Sequence, residues 1–186
     1  MARPGDRRPL IADQAIAILA RGGARALTHH AVDREAGIAA GSTSYYFRTR
    51  DALVSAAVER IRHHSRTAFD AAAAPDPLTP GTASAFIADQ LHDLATRRRE
   101  HALAVVALLP EVAEVPALRR SLMGSLFSRE LAGGLVVALG HPPGSPAADD
   151  LVDYLMGRLL SLLFAPREDA GDDRAATQHA VERLLR

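Results

Sequence analysis

The spacing of apolar residues predicts helices along the whole chain. Pro9 suits the first turn of a helix. Apolar residues from Ile11 to Leu19 then recur at helical spacing, and Gly22–Gly23 ends the stripe. No stretch shows the alternation expected of a strand, and no segment repeats. The pattern therefore predicts an all-α fold of about nine helices.

Three shorter signals follow in the N-terminal part. Thr28 is a typical N-cap for a second helix over about 29–36. Gly37, with an expected positive φ, ends that helix, and a third short helix runs to about Phe47. Thr49 then caps a long fourth helix. Residues 1–50 are accordingly predicted to form one domain.

The remainder, 51–186, is predicted to form a second helical domain. Three prolines within 75–81 predict a loop after the fourth helix. A fifth and a sixth helix lead to about Pro110, and a long seventh helix is predicted over Pro116–Leu139. A ninth helix is predicted from Asp172.

The eighth predicted helix, Asp149–Phe164, is apolar over most of its circumference. Such a helix has to be covered on two sides, which favours its own core plus a second subunit. A central helix of a monomer is the alternative reading. The residues predicted for the subunit interface are Val152, Leu155, Met156, Leu159 and Leu163.

Charge is divided unevenly although the net charge is zero. Residues 1–50 hold eight arginines and four acidic residues, a net charge of +4, and the remainder carries −4. A basic N-terminal part predicts an anionic partner.

Composition narrows the class of protein further. The chain has no cysteine, which excludes disulfides and thiolate metal sites and fits a reducing compartment. The N-terminal residues contain no apolar core of signal-peptide length, and the longest apolar runs in the sequence are far too short to span a membrane. We expect a cytoplasmic protein that does not bind membranes.

Residues 28–47 combine a helix, a glycine turn and a second helix. In a helix-turn-helix the second helix enters the major groove of DNA. The stretch GSTSYYFRTR, 41–50, suits that role, since a glycine permits close approach and is followed by three hydroxyl residues, two tyrosines and two arginines. An ordinary amphipathic helix packed on the core is the plain alternative.

Residues 9–57 resemble the N-terminal domain of the tetracycline-repressor (TetR) family. The resemblance rests on the order and spacing of several features. A helix ends at a glycine pair, a Leu–Thr step begins the next, and Glu-Ala-Gly plus an aliphatic residue forms the turn. A glycine with two small residues, a Tyr-Tyr-Phe cluster and a basic residue three positions past Phe47 complete the pattern.

The resemblance implies a helix-turn-helix DNA-binding domain followed by a ligand-binding and dimerisation domain. It also implies particular DNA contacts. The residues implied to face bases are Ala40, Gly41, Ser42 and Ser44. Those implied to bind phosphates are Thr28, His29, Tyr45, Tyr46 and Arg50.

Four positions depart from the family pattern. Ala39 stands where a capping serine is common, which predicts a weaker start to the third helix. Thr43 takes an aliphatic place and is expected in the core, whereas Ser44 replaces a common tyrosine. Asp33 replaces an alanine, and we expect it to face Arg34 or solvent.

A small-molecule effector is a further implication of the resemblance. Effector pockets are mostly apolar with a few polar groups. The candidate residues are Phe86, Leu91, His92, Val105, Leu108, Met123, Phe127, Tyr154 and Arg158. Each of them taken singly also suits plain core packing.

Other classes of function find less support. Asp89 with His92, and Glu59 with His63, have spacings that place two metal ligands on one helical face, but no second such pair completes a site. No phosphate-binding loop or nucleophile motif occurs. The sequence predicts a homodimeric, ligand-responsive repressor of a palindromic operator, without catalysis, cofactor or metal. The alternative is a helical scaffold protein or metal sensor without sequence-specific DNA binding.

Overall fold

The computed structural model describes residues 6–164 and 173–186, so the predicted helix start at Asp172 lies outside the described residues. These two ranges contain ten α-helices and no strand, which confirms the all-α prediction. The helices are α1 (Arg8–Ala26), α2 (His29–Glu35), α3 (Ser42–Tyr46), α4 (Arg50–Ala71), α5 (Pro80–Ala95), α6 (Arg99–Leu108), α7 (Pro116–Gly124), α8 (Arg129–Ala138), α9 (Ala147–Phe164) and α10 (Asp173–Leu184).

The additional helix arises because the predicted seventh helix is two helices. α7 ends at Gly124, and α8 begins at Arg129. The Ser128 hydroxyl accepts a hydrogen bond from the backbone N–H of Leu131 at 3.2 Å and so caps α8. The apolar spacing continues across this break, which is why periodicity alone joined the two.

The predicted signals in the N-terminal part have the expected geometry. The backbone leaves the helical path at Gly23. The Thr28 hydroxyl accepts from the N–H of Ala31 at 3.1 Å, and Thr49 does the same for Ala52 at 3.1 Å. Both threonines therefore cap the helices predicted for them.

The chain divides into two compact units, of which the first comprises residues up to Phe69 together with Glu100–Leu126. Its core is formed by apolar side chains of α1, α4 and α6 that are at most 1% exposed. They include Ile11, Leu19, Leu53, Ile61, Val105 and Leu108. This division differs from the predicted functional domains 1–50 and 51–186, which stay a prediction.

A polar cluster also joins α1 to α4 in the first unit. The Asp13 carboxylate accepts two hydrogen bonds from Arg60, each 2.7 Å long, and lies 2.9 Å from Nε2 of His64. Burial alone would raise the pKa of Asp13, but the Arg60 and His64 contacts outweigh it and lower that pKa. The cluster fixes the register of α4 against α1.

The second unit comprises Asp70–Arg99 and the described part of Phe127–Arg186. In it α9 packs against α5, α8 and α10. The Arg158 guanidinium joins α9 to α10 through the Asp173 carboxylate at 2.8 Å and the Thr177 hydroxyl at 3.2 Å. None of the helices in the described ranges has the length and apolarity that a membrane span requires.

The predicted subunit interface needs correction in this unit. Val152, Leu155, Leu159 and Leu163 are at most 5% exposed within the single chain, and Met156 is half-buried. The face predicted to meet a partner is therefore covered by the chain's own helices. The apolar circumference of this helix reflects packing against α5, α8 and α10 of the same chain, which the sequence pattern could not distinguish from a subunit contact.

Candidate nucleic-acid interface

A glycine at each end defines the turn between α2 and α3. Gly37 has φ +61° and Gly41 has φ +85°, the left-handed region in which residues with a Cβ are strained. Between them Ile38 is half-buried against the core of the first unit. The turn therefore reverses the chain tightly enough to bring α3 beside α2, as in a helix-turn-helix.

Asp33 of α2 joins the two helices, contrary to the expectation that it faces Arg34 or solvent. Its side chain is 3% exposed. Oδ2 accepts a hydrogen bond from the backbone N–H of Gly41 at 2.7 Å, and Oδ1 accepts one from Thr43 at 2.8 Å. The carboxylate thus satisfies two N–H groups at the start of α3, where a helix has unpaired donors and a positive dipole end.

The electrostatics of Asp33 agree with that position. Burial alone would raise its pKa, but hydrogen bonds from Thr43 and from the backbone N–H of Gly41, together with the charge of His30, lower it below the ordinary value. Gly41, the N-cap residue, makes no side-chain cap. The weak helix start predicted from Ala39 is thus compensated by a carboxylate from the preceding helix.

A second contact ties the start of α2 to the end of α3. Nε2 of His29 donates to the backbone carbonyl of Phe47 at 2.7 Å. This nitrogen of His29, predicted to bind phosphate, is therefore used within the fold. α3 is held at both ends by side chains of α2, although it has only five residues.

Four of the nine residues predicted to contact DNA are exposed on α3 or in the turn directly before it. Ala40, Gly41, Ser44 and Tyr45 are exposed, and the Tyr45 side chain is 81% accessible to solvent. Ser42 is half-buried. Thr43, expected in the core, is fully buried.

The second tyrosine lies in a different environment. Tyr46 is half-buried against the core, and its ring meets that of Tyr45 edge to face, with centroids 5.2 Å apart. The guanidinium of Arg8 lies 5.3 Å from the Tyr46 ring centroid, a cation–π contact from the first turn of α1. Sequence reasoning missed Arg8, since nothing local connects it to a residue 38 positions later.

The two arginines after α3 also differ. Arg48 is exposed and has no ion pair within the part of the chain that the structure describes. Arg50, predicted to bind phosphate, forms an ion pair with Glu111 and donates to the carbonyl of Ala24 at 2.9 Å. Glu111 lies 61 residues away along the chain and had no signal in the sequence.

The predicted effector residues are distributed over both units. Val105 and Leu108 are fully buried in the core of the first unit, and Met123 is half-buried there. In the second unit Leu91 is buried and His92 exposed. Phe86, Phe127, Tyr154 and Arg158 are half-buried.

The carboxylate of each candidate metal pair forms an ion pair with an arginine. Asp89 pairs with Arg174 at 2.5 Å, and Glu59 with Arg62 at 2.8 Å. Among the residues in 6–164 and 173–186, no three His, Asp or Glu side chains are grouped as ligands of one metal ion.

Comparison with solved structures shows which proteins this arrangement resembles. No protein-family model and no curated protein matches the chain. Among solved structures, a member of the TetR family from Streptomyces coelicolor is 26% identical, with a TM-score of 0.74, 97% of this chain and 99% of that chain being covered. The multidrug binding protein EbrR, complexed with malachite green, is 27% identical with a TM-score of 0.73 and the same coverage.

The chain has the fold of the TetR family of transcriptional regulators along nearly its whole length. This family is not enzymatic. A TetR-family regulator from Rhodococcus, 20% identical with a TM-score of 0.73, shares the fold over 98% of this chain. The similarity to TetR-family proteins, noted in the sequence over residues 9–57, thus extends in the structure to nearly the whole chain.

Replacing Asp33 by Asn is expected to destabilise the protein. The amide offers one acceptor oxygen and an NH₂ group, so one of the two backbone N–H groups loses its partner. We expect a loss of about 1–3 kcal/mol in the free energy of unfolding, measured in urea. The control is Glu35→Gln, also in α2, which removes an exposed ion pair with Arg21 of α1. It should lower the free energy of unfolding by only about 0–1 kcal/mol.

The stability of Asp33→Asn should also depend less on pH than that of wild type. Because folding lowers the pKa of Asp33, its stabilisation is complete above the pKa of the unfolded chain, about 3.9, and is lost as pH falls toward the folded value. Between neutral pH and pH 3, wild type should lose more stability than Asp33→Asn. Equal losses would contradict the assignment.

Proposed function

We propose that this TetR-family protein is a homodimeric repressor that binds a palindromic operator and is released from it by a small molecule. The observation that supports DNA binding best is the exposed face of α3. It presents Gly41, Ser44 and Tyr45 to solvent, while Asp33 fixes the backbone from which they project. A helix so exposed and so firmly held suits insertion into the major groove.

The mode of readout follows from the side chains on that face. Ala40, Gly41 and Ser44 are too short for the bidentate hydrogen bonds that arginine or asparagine makes with base edges. Affinity should therefore rest on phosphate contacts, and specificity on methyl contacts and DNA shape. Tyr45 and Arg48 are exposed side chains with the reach and chemistry for phosphates, and neither is taken up by an ion pair as Arg50 is.

Binding to the DNA upstream of the protein's own gene tests this assignment. Tyr45→Ala and Arg48→Ala should each weaken binding roughly tenfold, since a hydrogen bond to a charged group contributes about 1.5–3 kcal/mol. Arg48→Ala should also reduce the slope of log K against log salt by about one. Affinity is measured by fluorescence anisotropy of labelled DNA at salt concentrations from about 50 to 200 mM, because phosphate contacts are sensitive to salt in this range.

Arg183→Ala is the matched control, because Arg183 is an exposed arginine of α10. It should bind DNA as wild type does. Wild-type binding that stays constant across this salt range would instead favour a helical scaffold protein that no longer reads DNA.

The proposed dimer uses the outer side of α8 and α9. After the inner face of α9 is assigned to the core, Leu131 and Val137 of α8 and Leu160 and Phe164 of α9 are left as exposed apolar side chains, between 38% and 58% accessible. Gly157 is also exposed on α9 and permits a close helix approach. Two-fold symmetry would place two α3 helices about one DNA turn (~34–36 Å) or a multiple apart.

A double variant tests this interface. Leu131→Glu with Leu160→Glu puts four charges into a symmetric contact, so we expect a monomer in sedimentation equilibrium where wild type is a dimer. Leu78→Glu, at a loop residue of the same unit that is 39% exposed, should leave the dimer intact. A double variant that stays dimeric would place the interface elsewhere.

The effector proposal rests on the half-buried aromatic side chains of the second unit. EbrR is a multidrug binding protein solved with malachite green, ethidium and proflavin. Phe86, Phe127 and Tyr154 offer rings on which planar aromatic molecules of that kind can pack. We propose that such molecules bind here and favour a dimer geometry that no longer fits the operator.

Malachite green titrated into the protein alone tests the effector assignment. We expect saturable binding, weakened roughly threefold or more by Tyr154→Ala, because an aromatic contact contributes about 0.5–1.5 kcal/mol. Tyr45→Ala removes a tyrosine of the DNA-facing helix and should bind the dye as wild type does. Equal binding by both variants would remove Tyr154 from the site.

A further inference from the structure

We propose that Glu111 is an internal competitor of the DNA backbone, which occupies the guanidinium of Arg50 and so lowers operator affinity. The inference rests on the proposed DNA-binding function. It adds a residue outside the helix-turn-helix that sets how tightly the operator is held.

The contact is specific in geometry. Arg50 is the first residue of α4 and follows the DNA-facing helix by four residues. Nη1 of Arg50 binds the Glu111 carboxylate, while Nη2 donates to the carbonyl of Ala24 at 2.9 Å. The two contacts fix the plane of the guanidinium, and the carboxylate takes the edge with which an arginine forks onto an anion.

Glu111 is held in position by the core of its own unit. It lies in the turn between α6 and α7, and the next residue, Val112, is fully buried. The N–H of Val112 donates to the carbonyl of Leu108 at 3.2 Å, and Arg119 donates to the carbonyl of Ala113 at 2.6 Å. Since the turn is already ordered, the ion pair requires little further loss of side-chain freedom.

The consequence for DNA binding is electrostatic. A phosphate oxygen and a carboxylate oxygen use the same N–H donors of arginine, so each phosphate contact by Arg50 has to displace or share the Glu111 contact. Both side chains are partly exposed, 41% for Arg50 and 29% for Glu111, so the pair is accessible to a competing anion. With the carboxylate in place, the pair has no net charge to attract DNA.

The test replaces Glu111 by Gln in the full-length protein and measures binding to the same operator DNA. The amide keeps the size of the side chain and removes its charge. We expect binding roughly two- to fivefold tighter, the range that an exposed ion pair can contribute. The slope of log K against log salt should steepen by up to about one, as for one added phosphate contact.

Two controls isolate the role of the pair. Glu114→Gln makes the same change in charge in the same turn, at an exposed residue that has no ion pair in the described part of the chain, and should leave affinity near that of wild type. In an Arg50→Ala background, Glu111→Gln should have no effect, because the group for which it competes is absent.

Three results overturn the inference. They are unchanged or weaker binding by Glu111→Gln, an equal gain from Glu114→Gln, and a gain that persists without Arg50. If wild type itself fails to bind, the proposed function fails instead. Circular dichroism and urea unfolding of each variant show that the affinities compare folded proteins.

Discussion

The contact on which the candidate DNA-binding surface depends is a buried carboxylate that accepts two backbone N–H groups. A helix of five residues is too short to be stable by itself, because nucleation is costly and most of its N–H groups lack partners. Asp33 supplies the missing acceptors at one end of α3, and His29 binds the carbonyl at the other. The helix that carries the candidate DNA-binding surface is therefore ordered by α2 rather than by its own sequence.

This arrangement explains how a surface of small side chains can act in recognition. The outward positions of α3 carry little more than a glycine, a serine and an exposed tyrosine, so position and shape have to supply what long polar side chains do not. A rigid backbone loses little freedom when DNA binds. Two nearby arginines also have partners within the fold, since Arg8 lies against the Tyr46 ring and Arg50 pairs with Glu111.

The sequence predicted the features that local rules govern. Thr28 and Thr49 cap helices, Gly37 takes a positive φ, and Thr43 is buried, because each depends on neighbours within a few residues. Asp33 could not be assigned in this way. Its partners lie eight and ten residues ahead across a turn whose path decides whether they come within reach.

Contacts between residues that lie far apart along the chain could not be predicted from the sequence. The ion pair of Arg50 with Glu111 joins residues whose approach depends on how α6 packs, and no pattern near either residue indicates it. The apolar circumference of α9 showed that it is covered on several sides, but not whether the covering helices belong to the same chain. Val152 and Leu159 are covered from within, so the interface prediction failed on the origin of the contact and not on its apolar character.

Amide hydrogen exchange tests most directly whether Asp33 holds the start of α3. In wild type, the N–H groups of Gly41 and Thr43 should exchange slowly, and Asp33→Asn should speed exchange at one or both of them by roughly tenfold or more, the equivalent of about 1.4 kcal/mol. Glu35→Gln should leave both rates near those of wild type. Equal protection of Gly41 and Thr43 in wild type and in Asp33→Asn would contradict the account.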